Sequence, residues 1–428
     1  MSTAACRIPA NADVVGLGIR LAIYAQNLLC FFTPFGALLD GKVTMSELDL
    51  AETQTTTNLV LAFAILISAI VQATTLGLTN YHASIILDMS WMNNTNASIY
   101  FLLYVQHKSQ PTPGSGHTVE PTFSAWARHI RCSFLAAYGQ GGDPSLQARD
   151  SVRDDIWIHD IANDGVTPAA ALRNLVKHSV LLLGSLHLSL MAGLGVWLWS
   201  DIRGFGNMRD RAANDCAAEH AHISILGRPI PFSSGPLRIA FLTAYGLFLV
   251  PGINLLLPMV VFLGFYYCAR GLAPPMIIQP GPRRMPWDMN AWERLRDSTL
   301  RSVQNSIARR WSIFPPVLGL VFLLAINLIF IIDIELTLRQ NANLRGQDEF
   351  LWGFGQTLAI IPLLMPLRDI SQALIVSRMR QRDLGKALGY TVMLKDWDTV
   401  HAFIARGADP NIEMRGVSPL HPRPQYYS

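Results

Sequence analysis

Residues 58–78 read NLVLAFAILISAIVQATTLGL, a run without one charged side chain. A bilayer core asks for about 20 apolar residues per helix, so this stretch by itself reads as a membrane span. Outward from it, the apolar stretches at about 13–39, 58–79, 82–105, 178–200, 239–268, 312–333 and 349–367 all qualify. The expected fold class is therefore all-α: a polytopic bundle of about seven spans over residues 1–378, with a short helical tail over 379–428. Composition agrees, since half of the 428 residues are apolar and 15% are charged, too apolar a balance for an ordinary soluble domain. The fifth stretch holds Pro251 and Pro258. It reads as a tilted or kinked helix, because proline removes a backbone bond and clashes with the preceding turn; a helical hairpin fits less well, the middle lacking a polar turn. The first stretch contains Arg20, Gln26 and Asn27 and reads as a signal-anchor span, not a cleavable leader.

Basic residues orient the bundle. With the N-terminus outside, the cytosolic segments carry 25 Lys and Arg and the outer segments 8. That asymmetry predicts an N-terminus on the outer or lumenal side and a cytosolic C-terminus. A net charge of +4 leaves no nucleic-acid footprint, and the lipid bilayer is the first partner implied. The five cysteines form no CxxC pair, which argues against a zinc cluster. Cys6 and Cys216 both fall outside in this topology, so a disulfide between them is open. Cys216, Glu219 and His220 in DCAAEHAH share a face if that loop is helical and offer metal-capable groups, but a solvated loop is the simpler reading and no metal site is assigned. Cys268, at a cytosolic helix end, reads as a plain thiol, with palmitoylation the alternative.

Two cytosolic segments are amphipathic. In 287–311, Trp292, Leu295, Val303, Ile307 and Trp311 fall near one helical face, with arginines elsewhere. This suits the headgroup layer of an anionic leaflet; the alternative is a helix packed on the tail. In 122–138, Phe123, Trp126, Ile130 and Phe134 make a shorter version.

Polar residues within spans are costly unless partnered or wet. Arg20, Gln72, Asp88, Asn327 and Gln356 all fall about six or seven residues below the outer ends of their spans, roughly 10 Å deep. This spacing suggests an Arg20–Asp88 ion pair at the centre of an outward-facing polar site, with the three amides around it. The competing reading is a set of interhelical bonds that glue the bundle, worth about 0.6 kcal/mol each. Asn93 and Asn96 head glycosylation sequons but lie at lipid depth, so with Asn94 they are expected to bond neighbouring helices. No nucleophile elbow, Walker loop, HExxH or dinucleotide turn is present, so no catalytic residue and no cofactor is expected.

The tail carries the clearest motif. Leu388 and Val392 suit one short helix, Val400, Phe403 and Ile404 a second, and Gly407-Ala408-Asp409-Pro410-Asn411 comes next. Here the glycine ends the helix in a left-handed conformation and Asp409 and Asn411 bond the loop backbone. Gly416-Val417-Ser418-Pro419-Leu420-His421 is similar to the G-x-T-P-L-H that opens the next unit. Together these resemble an ankyrin repeat, one full unit and the start of another, which implies contact with a cytosolic protein and not catalysis. Stable arrays need about three repeats, so the tail is expected to pack on the basic loops, to stack with another chain, or to belong to a longer array.

WGFGQTLAIIPLLMPLRD at 352–369, with IYAQN at 23–27, resembles uncharacterised multi-pass membrane proteins of fungi, a resemblance that implies no activity. The span count also resembles the layout of heptahelical receptors, in number and parity alone. His187 with a nearby Asn superficially resembles membrane-bound acyltransferases, with no further match. The leading expectation is a non-enzymatic anchor or sensor with a protein-contact tail. A transporter or channel built on the layer around Arg20 and Asp88 is the alternative, and a lipid-modifying enzyme a distant third.

Overall fold

The computed structural model describes residues 6–39, 43–75, 77–110, 118–129, 168–207, 211–272, 291–345, 354–368, 370–371, 388, 392 and 400. The chain divides into two compact units, Met1–Leu363 and Leu364–Ser428. The expected tail, 379–428, falls within the second unit.

The first unit is helical: α1 (Ala12–Val15), α2 (Leu17–Leu29), α3 (Phe32–Leu39), α4 (Met45–Thr75), α5 (Asn80–Ser109), α6 (Pro168–Ser200), α7 (Arg211–His220), α8 (Gly235–Phe248), α9 (Leu256–Leu272), α10 (Ala291–Gln340) and α11 (Phe354–Ile360). One antiparallel hairpin, β1 (His222–Ile225) and β2 (Arg228–Pro231), departs from the all-α expectation. Its turn residues Leu226 and Gly227 both have positive φ, 51° and 77°, the conformation a two-residue hairpin turn requires.

Among the described residues, four helices are long and apolar enough to cross a membrane: Leu17–Leu38, Met45–Thr75, Val180–Ser200 and Ile313–Gln340. A fifth crossing is available if the bent pair α8 and α9 counts as one. This is compatible with an integral membrane protein. Among the described residues the other two expected spans do not meet this test of length and apolarity, for two reasons. The 354–368 segment is short and interrupted by a 3₁₀ turn at Ile361–Leu363. The third expected span, now α5, is long but polar.

That polarity follows from its position. α5 packs against α2, α4, α6 and α10 and is buried on nearly every side. A helix surrounded by other helices needs no lipid-facing stripe, so its asparagines and serines meet partners. α4, by contrast, turns Val60, Ile67 and Val71 outward along one stripe. Its start is set by a reciprocal capping box: the Thr44 side chain accepts from the Glu47 backbone N–H, and Glu47 accepts from the Thr44 N–H at 2.8 Å.

The fifth expected span is broken, not merely kinked. α8 and the helix after it meet at 107° across Leu249–Gly252, where Pro251 interrupts the backbone and Gly252 has φ 85°. α6 satisfies the groups this releases. The Ser185 hydroxyl donates to Asn254 Oδ1 at 2.7 Å and accepts from the Gly252 N–H at 2.8 Å, while Asn254 Nδ2 donates to the Ser185 carbonyl at 2.8 Å.

The expected surface helix at 287–311 is not a separate element, since from Ala291 onward its residues are the first turns of α10. The 122–138 segment shows a short helix at 123–129 whose Trp126 is fully buried, edge-on to Phe101 and Tyr104 of α5. This tryptophan therefore anchors the segment to the bundle instead of to headgroups; Ile130 and Phe134 lie outside the described residues.

Close helix crossings are made by small residues. Gly195 of α6 faces the ring of Tyr245 on α8, and a Cβ there would sit 2.5 Å from the ring. Gly195→Ala should therefore displace Tyr245 and lower stability by roughly 1–3 kcal/mol, read as a reduced unfolding temperature of the detergent-solubilised protein.

Candidate functional site

The end of the bundle that carries the hairpin is assembled by a helix acting as a strand. Asp333 and Thr337 of α10, and Asn341 one residue past its end, stand four residues apart, about 6 Å per step. Alternate residues of a strand repeat every 6.4–6.8 Å, so the two ladders nearly match. Asn341 accepts from the His222 N–H at 2.9 Å and donates to its carbonyl at 2.7 Å. Thr337 Oγ1 accepts from the Ser224 N–H at 2.8 Å. The Asp333 carboxylate takes the turn itself, accepting from the N–H groups of Leu226 and Gly227, each at 2.8 Å, and from the Ser224 hydroxyl at 3.1 Å. Successive N–H groups of a left-handed turn form an anion-binding concavity, and here the anion is a side chain of the same protein.

Further bonds close this cap. Asn80, at the start of α5, donates to the carbonyls of Ile202 and Asn214, both at 2.9 Å, and its N–H meets Asn214 Oδ1. The N-terminal stretch joins through a Cys6–Cys216 disulfide and an Ile8–Arg345 β-bridge. The disulfide consumes the Cys216 thiol, so the metal-capable set Cys216, Glu219 and His220 loses its thiolate. Glu219 instead faces Arg203 at 3.2 Å, both exposed.

The five residues of the expected polar layer do not form one site. Arg20 is buried and pairs with Glu335, not with Asp88; its Nε also donates to the Val15 carbonyl at 3.0 Å. Tyr24 donates to the same Glu335 oxygen at 2.9 Å. Gln72 accepts from Asn11 Nδ2 at 3.0 Å. Gln356 accepts from the Gly18 N–H at 3.0 Å, close to the break between α1 and α2. Asn327 donates to Thr95 at 2.8 Å. Asp88 lies apart, lining a small pocket under the hairpin. Sequence reasoning misses Glu335 because it ends the sixth span at 333 and assigns the residues after it to a loop, whereas α10 continues to Gln340.

Deeper in the bundle α5 is a hub. Asn27 of α2 donates to Asn93 at 2.8 Å and accepts from Asn96 at 2.9 Å. Thr55 of α4 donates to the Asn96 carbonyl at 3.3 Å. His187 of α6 sits 3.1 Å from Asn94 Oδ1 and is fully buried against Phe63.

In the second unit Leu388, Val392 and Val400 are helical, with Leu388 and Val400 buried and Val392 packed against them. The motif residues Gly407, Ala408, Asp409, Asn411, Gly416, Ser418, Pro419, Leu420 and His421 lie outside the described residues. Comparison with protein-family models, with curated proteins and with solved structures returns no match.

The exchange of partners at Arg20 is testable by charge swapping. Glu335→Arg leaves Arg20 buried without a counter-charge, an effect of about 3 kcal/mol, and should cut the folded yield. Adding Arg20→Glu should restore it, whereas Arg20→Glu with Asp88→Arg should not; recovery is read as the monodisperse fraction after solubilisation.

Proposed function

We propose that the chain is a non-enzymatic membrane sensor or anchor, with the hairpin cap outside and a C-terminal tail that contacts a cytosolic protein in the manner of an ankyrin repeat. The observation that carries this reading is the clamp of Asp333, Thr337 and Asn341 on the hairpin. It fastens the cap to α10, a helix of 50 residues and therefore about 75 Å long, more than twice the hydrocarbon thickness. On this reading a shift of the hairpin acts on a helix that emerges on the other side, past the lost backbone bonds at Pro315 and Pro316.

Three further observations support it. The Cys6–Cys216 bond belongs to an oxidising compartment, which agrees with the orientation drawn from Lys and Arg. Arg20, Gln72, Asn327 and Gln356 each hold partners within the bundle, which favours a fixed scaffold over the open polar path a transporter needs. The tail cluster of Leu388, Val392 and Val400 uses the apolar positions that two short repeat helices would bury. The proposed orientation needs seven crossings, the five apolar ones together with the enclosed α5 and the short helical stretch at 354–368, since an odd number places the termini on opposite sides.

Glycosylation-acceptor tags at Ser2 and after Ser428 test the orientation. The N-terminal tag should be modified and the C-terminal tag should not; modification of the C-terminal tag, or of neither, overturns it. The coupling is tested by hydrogen exchange. Asp333→Ala should raise exchange in the hairpin and also in residues 291–312 of α10. Exchange that rises in the hairpin alone reduces the clamp to local support and the protein to an anchor.

A further inference from the structure

The hairpin turn carries a residue that neither its backbone nor water favours. Two-residue turns with positive φ at both positions prefer Asn-Gly or Asp-Gly. Here the first position is Leu226, at φ 51°, and it is left 72% exposed. The left-handed conformation is unfavourable to a side chain with a Cβ, and exposure to water is unfavourable to an apolar one. The height of the turn resolves this. The open end of the hairpin is bonded at Asn341 and the turn at Asp333, eight residues back along the chain. The turn therefore points toward the middle of the bundle, about 12 Å deeper than the open end. Residues 311–332 carry no charge, and Asp333 is the first charge after them. Leu226 thus stands at the rim of the apolar stretch of α10, next to a surface on which Leu328, Ile329 and Ile332 are exposed.

The backbone of the hairpin is suited to the same place. Residue pairs along an antiparallel ladder alternate between pairs that bond each other and pairs whose N–H groups point outward. His222 and Ser224 belong to the second kind, since their N–H groups leave the hairpin for Asn341 and Thr337. Their partners across the ladder are Pro231 and Pro229, which have no N–H to point outward. The two N–H groups of the turn go to Asp333. The hairpin therefore directs no unbonded N–H away from itself on either edge or at the turn. Lipid tolerates no unsatisfied donors, and an edge without donors is a poor template for a strand of another protein.

We propose that the hairpin turn is seated in the lipid leaflet on the cap's side of the membrane, with Leu226 at the boundary between headgroups and acyl chains. The exposed Arg228, two residues on, is placed for the lipid phosphates. Lipid is the occupant because the exposed Leu226 continues the apolar surface of α10. The inference rests on the membrane reading of the chain and deepens the sensing role proposed above. What the clamp on α10 relays is then the packing of lipid around the turn.

The test is spin labelling of the full-length protein in phosphatidylcholine nanodiscs. With Cys132→Ser and Cys268→Ser, the cysteines left are the buried Cys30 and the Cys6–Cys216 disulfide. A nitroxide on Leu226→Cys should collide with oxygen in preference to a water-soluble nickel chelate, as should one on Ile332→Cys. A nitroxide on Arg211→Cys, exposed at the start of α7, should show the reverse. The oxygen-to-nickel ratio at position 226 should be several-fold above that at 211. A ratio at 226 equal to that at 211, beside oxygen preference at 332, overturns the proposal alone, because the turn then faces water or a soluble partner. Nickel preference at 332 as well overturns the membrane reading with it. If Leu226→Cys fails to fold, the wild type decides. A phosphatidylcholine with a diazirine near the head of its acyl chain should form adducts within residues 222–231; adducts on α10 with none on the hairpin overturn the proposal. Leu226→Asn suits the turn better and should fold as well as the wild type, yet lose most of the hairpin adduct. An undiminished adduct in that variant removes Leu226 from the contact and overturns its seating. None of these readouts involves the tail or the transmission to residues 291–312, so their failure leaves the sensing role to the tag and exchange experiments.

Discussion

A polar group within a helical bundle of this kind must find its partner on a neighbouring element, because lipid offers none. α5 is where that constraint is met most densely. Its asparagines are bonded to α2 and α6, its Thr95 to α10, and the carbonyl of Asn96 to α4. A polar helix is thereby obliged to sit at the centre, and the apolar helices are obliged to surround it. The lipid-compatible faces of α4, α6 and α10 result from this arrangement, since each has one side committed to α5 and the other free.

The same constraint shapes the hairpin cap. A two-stranded hairpin is marginal by itself and leaves each strand with an unpaired outer edge, that of β1 facing α10. α10 removes that edge with three side chains at helical spacing, and Asp333 neutralises the two N–H groups that the left-handed turn directs at it. The cap is then bound to the bundle by directional bonds at several points: α10, Asn80 of α5, and the disulfided N-terminal stretch.

Several features were legible in the residues. The charge-free run of α4, a departure from a straight helix around Pro251, and the bonding role of Asn93, Asn94 and Asn96 all arise from local composition and spacing. Other features were not. Glu335 stands just past an apolar stretch and reads as loop, because hydropathy marks where a helix leaves lipid and not where it stops. Trp126 reads as a headgroup anchor, because an aromatic residue on an amphipathic turn has the same pattern whether it faces lipid or Tyr104. The Asp333, Thr337 and Asn341 ladder is visible as a helical repeat of small polar residues, but nothing in that repeat says that a strand lies opposite.

By itself the sequence determined that this is a helical protein with membrane-compatible spans, since each such helix is specified by its own length and apolarity. It also set the inventory of polar groups that would need partners. Which partner each group takes was decided by the tertiary structure alone. Arg20 meets Glu335 across 315 residues, and Cys6 meets Cys216 across 210. Contacts of that separation depend on which helices pack side by side and how far each extends, and this information resides in the whole fold and in no single segment.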